Sequence, residues 1–149
     1  MKKITVEFLS YYDKRKRKDD KDNQNPYINI ADPQKSIKNQ INPNEIVIPF
    51  NTIKILYDYP MTNKVIKEFT SQNKNGFTRI ELANKICEGY KQIYDEEYKV
   101  VGDPGNIPGM LNRSRSNGPY GIYGHYIEDL DLLDVTQVND NLFQLSVDS

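Results

Sequence analysis

Between Thr78 and Glu97 the apolar side chains Leu82, Ile86, Tyr90, Ile93 and Tyr94 recur at a helical period, and Ala83 and Cys87 widen the stripe. Arg79, Glu81, Lys85, Glu88, Lys91, Asp95 and Glu96 fall mostly on the other side. The pattern predicts an amphipathic helix of roughly 28 Å, at 1.5 Å per residue. Its start is marked by Thr78-Arg79-Ile80-Glu81, a capping box in which the Thr hydroxyl accepts from the third helical N–H and the Glu reaches back. Phe77 sits where a hydrophobic staple would, opposite Leu82. Gly89 inside such a helix costs about 1 kcal/mol against Ala, so it is read as the close approach of another backbone. Cys87 lies mid-helix on the apolar face, where a thiol is a small core residue and not a nucleophile.

Period-two stretches flank the helix. Ile53, Ile55, Tyr57 and Tyr59 alternate with Lys54, Leu56 and Asp58, and a return strand over 65–70 makes 52–71 a hairpin turning through 61–64. A second hairpin is read from 130–138 and 142–147, turning at 139–141, with Phe143, Leu145 and Val147 inward. Two hairpins around one helix give the order ββ-α-loop-ββ. The fold class expected is therefore α+β, an antiparallel sheet with the helix across one face.

The 149 residues fit one domain. The core is assigned to 52–149, preceded by an irregular segment 1–51. Within that segment Ile4, Val6 and Phe8 alternate as a possible strand over 3–9, and 13–25 lacks apolar side chains and reads as a mobile loop. Pro26, Pro33, Pro43 and Pro49 forbid a long helix between 26 and 51, and 45–50 is a short, edge-like strand. The basic run Lys14–Lys18 fits a nuclear-localisation or phosphate-binding tract, or a surface block neutralised by the acids that follow.

Net charge is −1, from 20 basic and 21 acidic residues, which excludes a wholly basic nucleic-acid coat but allows a local basic patch. One cysteine and one histidine exclude an internal disulfide and a Cys/His zinc site within one chain, and no cofactor is implied. No run approaches the roughly 20 apolar residues of a membrane span, and the N-terminus lacks a signal-like apolar stretch. These features predict an intracellular protein, cytoplasmic, or nuclear if Lys14–Lys18 acts as a localisation tract. Heavy use of Asn, Ile and Lys points to an AT-rich coding genome, of a protist or a large DNA virus, and a virion location would follow in the viral case.

Residues 105–131 hold five of the eight glycines, two of the five arginines and the only histidine. The connection 99–124 is long for a compact domain. Met110, Leu111, Tyr120, Ile122, Tyr123 and Tyr126 are too apolar for a solvated linker, so the loop is expected to pack. Three readings compete. In the first, the loop is a structural cover whose arginines pair with nearby acids. In the second it binds a ligand: Arg113, Arg115 and Lys99 with N–H groups of the Ser114–Gly118 turn hold a phosphate or carboxylate, beside Asn112 and His125, and Tyr120 and Tyr123 stack on a base or a peptide side chain. In the third, His125 is a general base oriented by Asp129 or Glu128 and combined with Arg113, as in a one-histidine phosphodiesterase. The acids Glu128, Asp129 and Asp131 do not match the spacing of a calcium-binding loop.

The succession Tyr57-Asp58-Tyr59-Pro60, Gly76-Phe77-Thr78, Tyr90, Ile93-Tyr94, Pro108-Gly109-Met110, Asn112-Arg113, Gly118-Pro119-Tyr120-Gly121-Ile122, Gly124-His125 and Asp129-Leu130 resembles a small uncharacterised family of plants, protists and giant DNA viruses. The resemblance covers about residues 53–149. It implies that helix, loop and second hairpin form one unit, and it carries no activity or site residue with it. The expectation is a non-enzymatic binding module or subunit of a larger assembly, with a protein partner and no membrane. The alternatives are a phosphate- or nucleic-acid-binding protein and a small enzyme.

Overall fold

The structure is a computed structural model that describes residues 2–13, 15–17 and 19–149. Its main sheet is built from β1 (Thr5–Glu7), β4 (Ile28–Asn29), β6 (Thr52–Tyr57), β7 (Val65–Thr70), β9 (Asp131–Asn139) and β10 (Leu142–Asp148), while β2 (Ser10–Tyr11) pairs with β3 (Gln24–Asn25) and β5 (Ile46–Ile48) with β8 (Phe77–Thr78). One long helix, α2 (Arg79–Val101), follows the four-residue α1 (Gln34–Ile37). The class is α+β, and both expected hairpins form, β6–β7 and β9–β10.

The sheet runs β1-β9-β10-β6-β7, with β4 also on the outer side of β9. Every pairing is antiparallel except the seam where the hairpins meet. There Leu142, Phe143 and Gln144 lie beside Lys54, Ile55 and Leu56 in parallel. The seam makes β7 and β9 parallel as well, so α2 and the loop after it are the crossover between them. Ile53, Ile55, Tyr57, Leu132, Val135 and Phe143 face the helix and are buried against Leu82, Ala83, Ile86, Tyr90 and Ile93. Full burial of each such side chain contributes about 1.5–3 kcal/mol.

The first fifty residues add to this core. Val6, Phe8, Ile28, Ile30 and Ile37 are buried in it, and β1 pairs with β9 from Thr5↔Thr136 to Glu7↔Asp134. Arg79 ties the segment to the helix start, its Nε donating to the Glu7 carbonyl at 3.0 Å and its Nη1 to the Asn42 carbonyl at 2.7 Å and the Glu45 carboxylate at 2.8 Å. Residues 21–23, within the stretch expected as a mobile loop, form a 3-10 turn (Lys21–Asn23) whose Asn23 is buried and bonded to Asp13 and Arg17. The basic tract Lys14–Lys18 lies partly outside the described residues. Arg15 and Arg17 are exposed and pair with Asp13 and Asp19.

Three local expectations are corrected. The helix continues four residues past Glu97, because Gly102, at φ +73°, is the first position that breaks it and its N–H closes on the Tyr98 carbonyl at 2.7 Å. Thr78 caps as expected, accepting from the Glu81 N–H at 3.2 Å, but Glu81 turns outward and accepts from the Gln72 N–H at 2.9 Å. Gly89 makes room for a side chain and not for a backbone. Tyr57 packs directly on it, donating to the Ile86 carbonyl at 3.0 Å with its ring edge-on to Tyr90, centroids 4.9 Å apart. Burial pushes the Cys87 thiol up to about 12, so it is a core residue and not a nucleophile. Among the described residues no helix is long and apolar enough to cross a membrane.

Candidate functional site

From the end of α2 the chain forms two nested loops. The outer one is a short finger: the Ser114 N–H donates to the Gly105 carbonyl at 2.8 Å, Asn106 bridges Arg113, and the Ile107 N–H donates to the Asn112 carbonyl at 2.9 Å. The Met110 N–H closes the tip onto the Ile107 carbonyl at 2.9 Å, with Pro108 second and Gly109, at φ +77°, third in the turn. Pro followed by a left-handed Gly is the signature of a type II turn. The tip shows its apolar side chains to solvent: Leu111 is 88% exposed, Met110 51% and Ile107 36%.

The inner loop returns by the Arg113–Gly124 bridge and docks on the turn between β6 and β7. The N–H groups of Thr62 and Asn63 donate to the carbonyls of Gly121 and Tyr120, both at 3.0 Å, and the Tyr123 N–H donates to the Pro60 carbonyl at 3.1 Å. Beneath it lies Glu97, fully buried. Its carboxylate accepts from the Ser116 hydroxyl at 2.5 Å and from the N–H groups of Gly118, Tyr120 and Ile122 at 3.0, 2.8 and 3.3 Å. Burial works against its charge, but the Ser116 hydroxyl and these N–H groups outweigh it and hold the carboxyl below the usual glutamate value. Arg113 is also buried, with Nη1 donating to Ser116 Oγ at 3.2 Å and to the Ile122 carbonyl at 3.1 Å, and its guanidinium 5.8 Å from the Tyr94 ring centroid. Ser116 thus stands between the two charges.

The residues singled out from sequence divide accordingly. Arg113 faces the interior, whereas Arg115 is exposed and bonds Thr62 Oγ1 at 3.0 Å. The N–H groups of Ser114, Ser116 and Gly118, expected around a phosphate, are occupied by Gly105, Ile122 and Glu97. The loop does enclose a carboxylate, and that carboxylate belongs to its own chain. Tyr120 donates to the Glu96 carboxylate, and burial together with that bond pushes its hydroxyl up to about 12. Tyr123 is exposed, edge-on to Tyr59 with centroids 6.3 Å apart. Lys99 lies exposed on the outer face of α2.

Asn112, His125 and Asp129 do converge. With Leu111 and Ser149 they line an open cavity of about 310 Å³. The 3-10 turn Ile127–Asp129 puts Asp129 Oδ2 3.8 Å from His125 Nδ1, and the Tyr126 N–H fixes that carboxylate at 3.2 Å. His125 Nε2 is 3.1 Å from Ser149 Oγ, which is 2.8 Å from the Tyr59 hydroxyl. The His125 backbone is held by the Tyr94 hydroxyl donating to its carbonyl at 3.0 Å, and Asn112 is held by donating to the Gly124 carbonyl at 3.2 Å.

Sequence reasoning missed Glu97, Ser116, Tyr59 and Ser149. A signal for Glu97 was present, since 86, 90, 93 and 97 continue the helical stripe and place a carboxylate where only a paired one is tolerated. Among the described residues no group of three His, Cys, Asp or Glu side chains is arranged to hold a metal ion. No family model, curated protein or solved structure matches the chain.

Proposed function

We propose that this protein is a binding module, a subunit of a larger intracellular assembly, and that it presents the finger 105–114 to a protein partner. The observation that carries this reading is Leu111, an aliphatic side chain 88% exposed at the tip of a tightly bonded turn. An apolar tip held in one conformation binds without the entropy loss of ordering a flexible loop. Met110 and Ile107 extend its apolar surface, and the Glu97 network keeps the base of the finger in place.

The test is co-purification of the tagged full chain from its native cell, wild type against Leu111→Asp. The wild type is expected to retain a stoichiometric partner that Leu111→Asp loses, at an unchanged melting temperature, while His125→Ala keeps it. Retention of the partner by Leu111→Asp rules out the finger as the contact. Loss of the partner from the wild type on raising salt alone points to a charged ligand in place of an apolar one.

A further inference from the structure

The cavity beside the finger contains an arrangement that partner binding does not need. Asp129, His125 and Ser149 stand in line, with the carboxylate on the Nδ1 side of the imidazole and the hydroxyl on the Nε2 side. The tautomer protonated on Nδ1 suits both neighbours: its N–H faces Asp129 and its bare Nε2 can accept the Ser149 proton. We propose that His125, Asp129 and Ser149, with Tyr59, form a nucleophilic centre that cleaves esters of short-chain carboxylic acids.

Each role follows from geometry. Ser149 Oγ, at 3.1 Å from Nε2, is within hydrogen-bond reach of its base. Asp129, at 3.8 Å, is about 1 Å beyond a hydrogen bond, and such contacts are commonly loose in unliganded sites. The Tyr94 hydroxyl holds the His125 backbone through its carbonyl, and the Tyr126 N–H holds the Asp129 carboxylate itself. An acyl carbon on Ser149 Oγ develops negative charge on its own oxygen, and the Tyr59 hydroxyl, 2.8 Å from Oγ, is a donor beside that point. Asn112 lines the same cavity with an amide whose other N–H is already fixed on Gly124. Leu111 supplies an apolar wall, and the volume of about 310 Å³ admits a short acyl chain.

The chemistry balances without a further reactant. Ser149 Oγ forms a bond to the ester carbonyl carbon as its proton passes to His125 Nε2. The ester C–O bond then breaks, and the alcohol leaves with the proton from Nε2. Water adds to the acyl-serine with His125 again as base, releasing the carboxylic acid and restoring the Ser149 hydroxyl. This replaces the phosphodiesterase arrangement expected around Arg113, whose guanidinium faces the interior. The proposal stands independently of the partner assigned to the finger, because turnover and co-purification are read by different variants.

The experiment uses the full chain and p-nitrophenyl acetate, with intact-mass analysis of quenched samples and a fluorophosphonate probe. The wild type is expected to acquire one acetyl group and one phosphonyl group, both mapping to Ser149. Ser149→Ala, an exposed position that leaves the core untouched, should lose both adducts and turnover by about 100-fold or more. Tyr59→Phe should lower turnover by about tenfold or more while retaining the adduct. Acetylation that persists in Ser149→Ala, or turnover unchanged by that substitution, overturns the proposal, since a bare imidazole would account for the release. Absence of any adduct on the folded wild type overturns it equally.

Discussion

Replacing Glu97 tests what holds the loop. Its carboxylate accepts four hydrogen bonds, from Ser116 Oγ and from the N–H groups of Gly118, Tyr120 and Ile122. Hydrogen bonds to a charged group contribute about 1.5–3 kcal/mol each, but four donors on one carboxylate are coupled and do not add. Removing one member of a buried charged network costs about 3–5 kcal/mol. Glu97→Ala is therefore expected to destabilise by roughly 3–5 kcal/mol, because it also leaves the buried Ser116 hydroxyl and Ile122 N–H without their acceptor. At about 2–4 °C per kcal/mol for a chain of this size, the melting temperature should fall by roughly 10 °C. Glu97→Gln keeps the volume but turns an amide donor towards other donors, and is expected to cost about 1–3 kcal/mol. Urea denaturation gives the free energies, and hydrogen exchange at the amides of Gly118, Tyr120 and Ile122 locates the effect. Their protection should drop by about 100-fold, the equivalent of about 3 kcal/mol. If Glu97→Ala falls within about 0.5 kcal/mol of wild type and those amides keep their protection, the carboxylate does not anchor the loop.

Two further outcomes follow from the same packing. Because the folded-state value of Glu97 is lowered from the ordinary glutamate value, its contribution is fully present above that ordinary value and lost as pH falls through the lowered one. The stability gap between wild type and Glu97→Gln, measured by urea denaturation between about pH 6 and pH 3, should therefore narrow with acid, and a constant gap would contradict the assignment. Gly89→Ala should destabilise by about 1–3 kcal/mol despite a helix-propensity gain of about 1 kcal/mol, because its Cβ would overlap Tyr57. Adding Tyr57→Phe should recover part of that loss, and strict additivity in the double-mutant cycle would show the contact to be harmless.

The helix and the two hairpins were legible because each is written in a local period: the stripe from Leu82 to Tyr94, the alternation from Ile53 to Tyr59, and that from Phe143 to Val147. Pro108-Gly109 carries the local signature of the turn at the finger tip, but sequence reasoning missed it. Residue type alone did not reveal direction. Arg113 and Arg115 sit two positions apart, a spacing that would put both on one face of a regular strand, yet the irregular loop buries the first and exposes the second, and nothing local says so. Glu97 was passed over because a charge near the end of a helix reads as solvated, although its spacing put it on the buried side. The pairing of β6 with β10 joins residues far apart in the chain and leaves no mark on either. Ser149 has no signal at all: it becomes interesting only once the second hairpin returns it to His125 and Tyr59.

The parallel seam has a consequence for how the chain reaches this state. β10 lies between β9 and β6, yet it follows the other strands of the sheet in sequence, and Leu142 must find Lys54 across a separation of 88 positions. During synthesis both halves of the sheet therefore wait for a central strand that emerges after them. Until it arrives, β6 and β7 can be steadied only by α2, and β9 has only the short β1 and β4 beside it. Closure of that seam is a high-contact-order event, the kind that slows folding and leaves strand edges open while it is pending. The nascent chain is thus most vulnerable to mispairing in the interval before β10 docks between β9 and β6.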